Sequence, residues 1–131
     1  MIGRLLSATV LLAGFTAAAC GGVTEPSKNT VDTLSGVLQP GGRVPFTNIT
    51  VSNGGEYSVK ITALSPTPTA VLGVIWAQGA NCEFPLNSNL AILNQPALSG
   101  AIFQKGAYCL AVYDPGTLTV AQNFTVTVSH P

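Results

Sequence analysis

Turn chemistry recurs along this chain at short intervals, and the segments between the turns carry the period of strands. Pro40-Gly41-Gly42, Asn53-Gly54-Gly55, Pro66 with Pro68, Ser99-Gly100, Lys105-Gly106 and Asp114-Pro115-Gly116 mark the breaks. Glycine supplies positive φ there, proline fixes φ, and Asn or Asp tolerates the left-handed region. Tyr57, Val59, Ile61 and Ala63 alternate with Ser58, Lys60 and Thr62, as do Phe124, Val126 and Val128 with Thr125, Thr127 and Ser129. That is the pattern of half-buried strands. Tyr108 to Tyr113 and Val71 to Trp76 are apolar on both faces, as central strands of packed sheets are. Shorter candidates are Thr33–Leu38, Val44–Val51, Leu90–Leu93, Ala101–Phe103 and Leu118–Val120. The stretch Asn87–Gln95 could form one helical turn, but Pro85 and Pro96 bracket it. The expectation is an all-β fold, an antiparallel β-sandwich of seven to nine strands.

The first residues have a different character. Arg4 is followed by an apolar run from Leu5 to Phe15 and then by Ala17-Ala18-Ala19-Cys20. A basic start, a short apolar middle and small residues describe a cleaved signal peptide, here residues 1–19. Spanning a bilayer takes roughly 20 apolar residues, more than this run supplies. Thr16-Ala17-Ala18-Ala19-Cys20-Gly21 resembles the lipobox of bacterial lipoproteins, although Ala17 stands where Leu is usual. The same alanines also satisfy the ordinary signal peptidase.

Cysteine parity bears on that choice. The chain has three cysteines, and an odd thiol in an exported protein needs an explanation. Lipidation of Cys20 would leave Cys82 and Cys109 to pair in an oxidising compartment. Twenty-six residues separate those two, which is neither a C-x-x-C redox motif nor enough ligands for zinc. A structural disulfide is therefore expected, tying the Ala80-Asn81-Cys82 loop to the Tyr108 strand. Residues 20–31, with Gly21-Gly22 and Pro26, read as lipidated cysteine and flexible tether, and residues 32–131 as the domain.

Only 8% of the chain is charged, against roughly 25% in an average domain. From Cys20 onward four cations face five anions, for a net charge near −1. No basic patch exists to attract phosphates, so nucleic acid is excluded as a partner. The polar surface must be built from Thr, Ser, Asn, Gln and Gly.

One family is similar in its pattern of strands and turns. Val37-Leu38-Gln39-Pro40-Gly41-Gly42, Phe46-Thr47, Val51 and Gly55-Glu56-Tyr57-Ser58-Val59-Lys60-Ile61 resemble the opening of bacterial pre-peptidase C-terminal-type (PPC-like) domains. Gly106-Ala107-Tyr108-Cys109-Leu110-Ala111-Val112-Tyr113-Asp114 and Asn123-Phe124-Thr125-Val126-Thr127-Val128 resemble that family's closing strands. The resemblance spans about Thr33 to His130 and implies a small jelly-roll-like sandwich that serves as an accessory to exported enzymes. No peptidase precedes the domain in this sequence. Some relatives bind calcium through acidic loops, but only Asp114 and Glu83 lie in loops here. Calcium takes six to eight oxygens, so no cofactor is expected.

Catalytic residues are hard to find. His130 is the only histidine, and a Ser-His-Asp hydrolase needs its histidine fixed by packing and a carboxylate. At the end of the last strand it is expected at the surface, and no enzymatic activity is expected. Trp76, Tyr57, Tyr108 and Tyr113 are the aromatic residues that could stack on sugar rings, with Trp76 and Tyr113 the candidate ligand contacts. Tyr57, in register with Val59 and Ile61, is expected in the core. The resulting expectation is a non-enzymatic lipoprotein of the cell envelope, at the outer membrane or cell surface. Its domain would bind or assemble with an envelope protein partner. The alternatives are a carbohydrate-binding module using exposed aromatics and, for location, soluble secretion.

Overall fold

The computed structural model describes residues 26–131, so the leader, Cys20 and the first half of the expected tether, through residue 25, lie outside the described residues. A 3-10 turn at Pro26–Lys28 precedes eight strands: β1 (Thr30–Leu38), β2 (Arg43–Val51), β3 (Gly55–Ser65), β4 (Leu72–Gln78), β5 (Phe84–Ala91), β6 (Pro96–Ile102), β7 (Gly106–Tyr113) and β8 (Gln122–His130). They form two four-stranded sheets, ordered β1-β8-β3-β6 and β2-β7-β4-β5, with every neighbouring pair antiparallel.

A simple rule underlies that order. Strand β1 pairs with β8, β2 with β7, β3 with β6, and β4 with β5, so the chain is one long antiparallel ribbon. Its tip is the loop between β4 and β5. The pairs β3–β8 and β4–β7 then close the rolled ribbon into a jelly roll. The expected antiparallel β-sandwich is the fold.

Alternation sets the core. Tyr57, Val59 and Ile61 from β3 and Phe124, Val126 and Val128 from β8 face Val74 and Trp76 from β4 and Tyr108, Leu110 and Val112 from β7. Each of these side chains is at most 5% exposed. Tyr57 is in the core, as its register implied. The residues between them on β8 and β3 are the Thr, Ser and Lys that keep the outer face wet.

The Cys82–Cys109 disulfide is formed, with its Cα atoms 5.0 Å apart. Cys109 lies on the outward face of β7, where with Ala77, Ala111 and Cys82 it makes a second, smaller buried cluster. The bond therefore ties the ribbon's tip back onto a strand that closes the roll.

Several boundaries differ from the sequence reading. Strand β1 begins at Thr30, inside the expected tether, and Asn29 Nδ2 anchors it by donating to Glu56 O (2.9 Å) and Ser129 Oγ (3.1 Å). Strand β5 covers Phe84–Ala91 instead of Leu90–Leu93 or a helical turn. Strand β6 starts at Pro96, a position that tolerates the missing N–H, and ends before Phe103.

Leu118–Val120 is loop. The Asp114 carboxylate captures the backbone N–H groups of Gly116, Thr117 and Leu118, curling the chain away from a ladder. His130, expected at the surface, is 3% exposed. The alternation of β8 continues to its last residue, which places His130 on the inner face beyond Val126 and Val128.

Candidate functional site

The two sheets do not meet evenly along the seam between their edge strands β5 and β6. At one end Asn89 Nδ2 donates to Ala97 O across it at 2.9 Å. Towards Leu86 and Ile102 the strands part around a cavity of about 390 Å³. Its deepest residues are Tyr57, Trp76 and Tyr108, at 5%, 0% and 2% exposure. Its rim carries Leu86 and Phe103, which are 56% and 90% exposed.

The aromatic residues form a stack. Tyr57 comes from β3 of one sheet, and its ring is 5.0 Å from that of Trp76 with planes 18° apart. Tyr108 comes from β7, 5.2 Å from Trp76 with planes 11° apart. The close approach of Tyr57 requires glycine opposite it: a Cβ on Gly100 would meet the Tyr57 ring at 2.9 Å. Burial pushes the Tyr108 phenol pKa up, so the hydroxyl remains protonated and donates to Gln104 O at 2.6 Å.

Amides complete the lining. Gln78 Nε2 donates to Gln104 Oε1 at 3.1 Å, and Asn87 Nδ2 donates to Tyr57 Oη at 3.1 Å. No charged side chain lines the cavity. One buried donor is left over: the indole N–H of Trp76 is the only buried side-chain polar atom without a hydrogen-bond partner among the described residues. Such an orphan costs about 1–3 kcal/mol. It therefore calls for an explanation.

Trp76 and Tyr113 do not form the expected sugar platform. Trp76 faces the core with Val74, and no face of its ring is open. Tyr113 stands on the opposite side of the same sheet, on the face of Cys109 and Ala111, with its ring laid against Gly73. Strand alternation separates the two by a whole sheet thickness. The cavity residues Gln78, Leu86, Asn87, Phe103 and Gln104 were not picked out from sequence; a phenylalanine beside the Lys105-Gly106 turn was the one available hint.

His130 has the surroundings a catalytic histidine would need, but not the third partner. Its Nε2 lies 2.8 Å from Asp32 Oδ2, and its Nδ1 is 3.2 Å from Pro131 O. Asp32 reaches it because the β1–β8 register puts Thr30 opposite His130 and Asp32 one step along on the same face. With both nitrogens engaged, neither contacts a hydroxyl that it could activate. Among the described residues no three His, Cys, Asp or Glu side chains come together as a metal site.

Asp114 has a clear structural task. Besides the three loop N–H groups, its carboxylate accepts from Gly41 N at 2.7 Å, which joins the β7–β8 loop to the β1–β2 turn. These donors, Gly41 first, hold its pKa below the ordinary value. A depressed carboxylate pKa stabilises the fold above the unfolded-state value, and that contribution is lost as pH falls through the folded-state value. Thermal unfolding followed across roughly pH 5 to 2 should show the midpoint falling with acid. Asp114→Asn should lower the midpoint at neutral pH and flatten that acid limb. Equal midpoints and equal slopes would assign the loop's stability elsewhere.

No protein-family model matches the chain, and no curated protein matches it. Among solved structures it is similar to the crystal structure of Yersinia pseudotuberculosis-derived mitogen (YPM). The TM-score is 0.60 at 15% identity, covering 79% of this chain and 87% of that one. At such identity the likeness concerns the fold, and function has to be argued from the site.

Proposed function

We propose that this protein is a binding or assembly module that engages a protein partner and performs no catalysis of its own. The observation that carries the reading is the apolar surface around the β5–β6 seam. Phe84 and Leu86 on β5 are 66% and 56% exposed, and Phe103, which lines the same cavity as Leu86, is 90% exposed. Large apolar side chains gathered at one edge of a folded domain mark interaction surfaces. The residues are held on a rigid sandwich, so little ordering cost attaches to binding.

The setting of the module is part of the same proposal. Lipidation of Cys20 would place it on a membrane, with residues up to Lys28 as spacer, at the outer membrane or cell surface. Two or more acyl chains anchor stably where one does not. The PPC-like resemblance fits an accessory domain of exported proteins. The carbohydrate alternative loses its two sequence candidates, because Trp76 is buried and Tyr113 stands on the opposite face of the sheet.

Two measurements test this reading. Labelled palmitate should enter the wild-type protein in its native cells and be absent from Cys20→Ser. Tagged protein purified from those envelopes should bring down a partner, and Phe84→Ser with Phe103→Ser should reduce recovery about tenfold or more, in keeping with the energies of apolar interface anchors. Those residues are exposed, so the variant should keep its unfolding midpoint. Recovery unchanged by the double substitution would refute the proposed surface, and labelling of Cys20→Ser would refute the anchor.

A further inference from the structure

The end of the sandwich that the tether joins also carries its exposed aromatic residues. Thr30 pairs with His130, so β1 starts where β8 finishes. Ser129 pairs with Ser58 and Gly55 with Ile102, which puts the start of β3 and the finish of β6 at that same end. Asn29 links these strands through its bonds to Glu56 O and Ser129 Oγ. Phe103 follows Ile102 in the β6–β7 turn, and Gln104 of that turn bonds Gln78, the strand partner of Phe84. Among the described residues, both exposed phenylalanines, Phe84 and Phe103, therefore stand at the tethered end. The opposite end carries the Gly41 turn and the Asp114 loop.

Tether length turns that position into a constraint. Cys20 precedes Pro26 by six positions. At roughly 3.5 Å per residue they span at most about 21 Å. The 3-10 turn at Pro26–Lys28 adds about 6 Å, at a rise of about 2 Å per residue. With Cys20 acylated at the bilayer surface, the tethered end stays within about 30 Å of the lipid whichever way the domain turns. The far end, a strand of 11 residues away, reaches about 36 Å further.

That gap discriminates among occupants. A soluble domain of about 100 residues has a radius of gyration of about 13 Å, hence a diameter of about 34 Å, and is too wide to sit beneath the Phe103 turn. The bilayer itself is a poor match. Glu83 adjoins Phe84 and Lys105 lies two positions beyond Phe103, all of them exposed, so immersing either ring carries a charge towards the lipid. Gln78, Asn87 and Gln104 line the recess beside Phe103 with amides, which acyl chains would desolvate and a protein surface can hydrogen-bond. A protein embedded in the bilayer, rising less than about 30 Å from it, meets each condition.

We propose that the partner is a membrane-embedded protein, and that the domain docks through its tethered end, with Phe84, Leu86 and Phe103, onto the low surface that protein exposes. This deepens the protein-partner reading and rests on it and on acylation of Cys20, by naming where the partner resides.

The test uses the full chain in its native cells. A photo-crosslinking amino acid replaces Phe103, and a specific protease site is inserted between Gly22 and Val23. The control carries the crosslinker at Thr119, exposed between β7 and β8 at the far end. After irradiation the isolated membranes are cut at the tether or left uncut, then washed with alkaline carbonate. Uncut protein should stay in the pellet. After cutting, domain without an adduct should be released, whereas the protein adduct from position 103 should remain. Position 119 should give no adduct that survives the wash.

An adduct from position 103 that the wash releases is a soluble or peripheral protein; it refutes this inference and leaves the broader partner reading standing. An adduct with lipid, or none of any kind, refutes both. Loss of uncut protein to the wash removes the anchor and refutes this inference alone. The same wash-resistant adduct from position 119 refutes docking through the tethered end.

Discussion

Trp76→Ala should destabilise the domain by about 3–5 kcal/mol, the range for deleting a large buried aromatic. Trp76 is fully buried and packs against Tyr57 from the facing sheet and Tyr108 from its own. Removing it therefore breaks both stacks and opens a void that joins the existing cavity. A partial compensation exists, because the substitution also removes the orphaned N–H. Trp76→Phe separates the effects, since it deletes the same donor but retains most of the ring area. Its cost should be well below that of alanine. Urea unfolding of the three proteins checks this, and equal losses for Phe and Ala would mean that ring packing contributes little. Small domains have only about 5–15 kcal/mol in total, so the alanine variant should be visibly less stable at ambient temperature.

The second large effect belongs to the disulfide. Cys82 and Cys109 are 27 apart in sequence, and closing a loop of that size restricts the unfolded chain by about 3–4 kcal/mol in the entropic account. Position adds to the argument. The bond fastens the tip of the rolled ribbon to β7, which pairs with both β2 and β4 and so belongs to the closure of the roll. Cys82→Ala with Cys109→Ala should lower the thermal midpoint by roughly 15 °C. The double substitution is preferable to a single one, which would leave a reactive thiol. Mass spectrometry of a non-reduced proteolytic digest of the wild type should show a peptide pair joined through Cys82 and Cys109, and a midpoint shift of only a degree or two would contradict the assigned role.

What could be read from sequence followed from where alternation was clean. Tyr57-Val59-Ile61 and Phe124-Val126-Val128 sit on central strands with one wet face, so each residue reported its own side. The fully apolar run around Leu110 marked β7, which is flanked on both sides in its sheet. Strand β5 was obscure for the opposite reason: it exposes Phe84, Leu86 and Leu90, so apolar residues there do not indicate the inside. The pairing of β1 with β8 and β2 with β7 is long-range, and no local signal encodes it.

The candidate site was less legible than the fold. Trp76 was read as a possible surface residue, although its own run, apolar on both faces, already argued for a buried strand. Phe103 and Gln104 lie between strands, and Gln78 and Asn87 look like ordinary polar strand residues; only the seam assembles them. His130 illustrates how alternation can be underused. One more period of β8 beyond Val128 places it inside, where Asp32 partners it.

The central claim is that the β5–β6 seam is the face that meets a protein partner. A photo-crosslinking amino acid placed at position 103 in the full chain, expressed in its native cells, tests it most directly. The control is the same group at Thr33, exposed on β1, an edge strand of the other sheet. Irradiation should yield a discrete protein adduct from position 103 and none from position 33. Adducts from position 33 with none from position 103 would contradict the account.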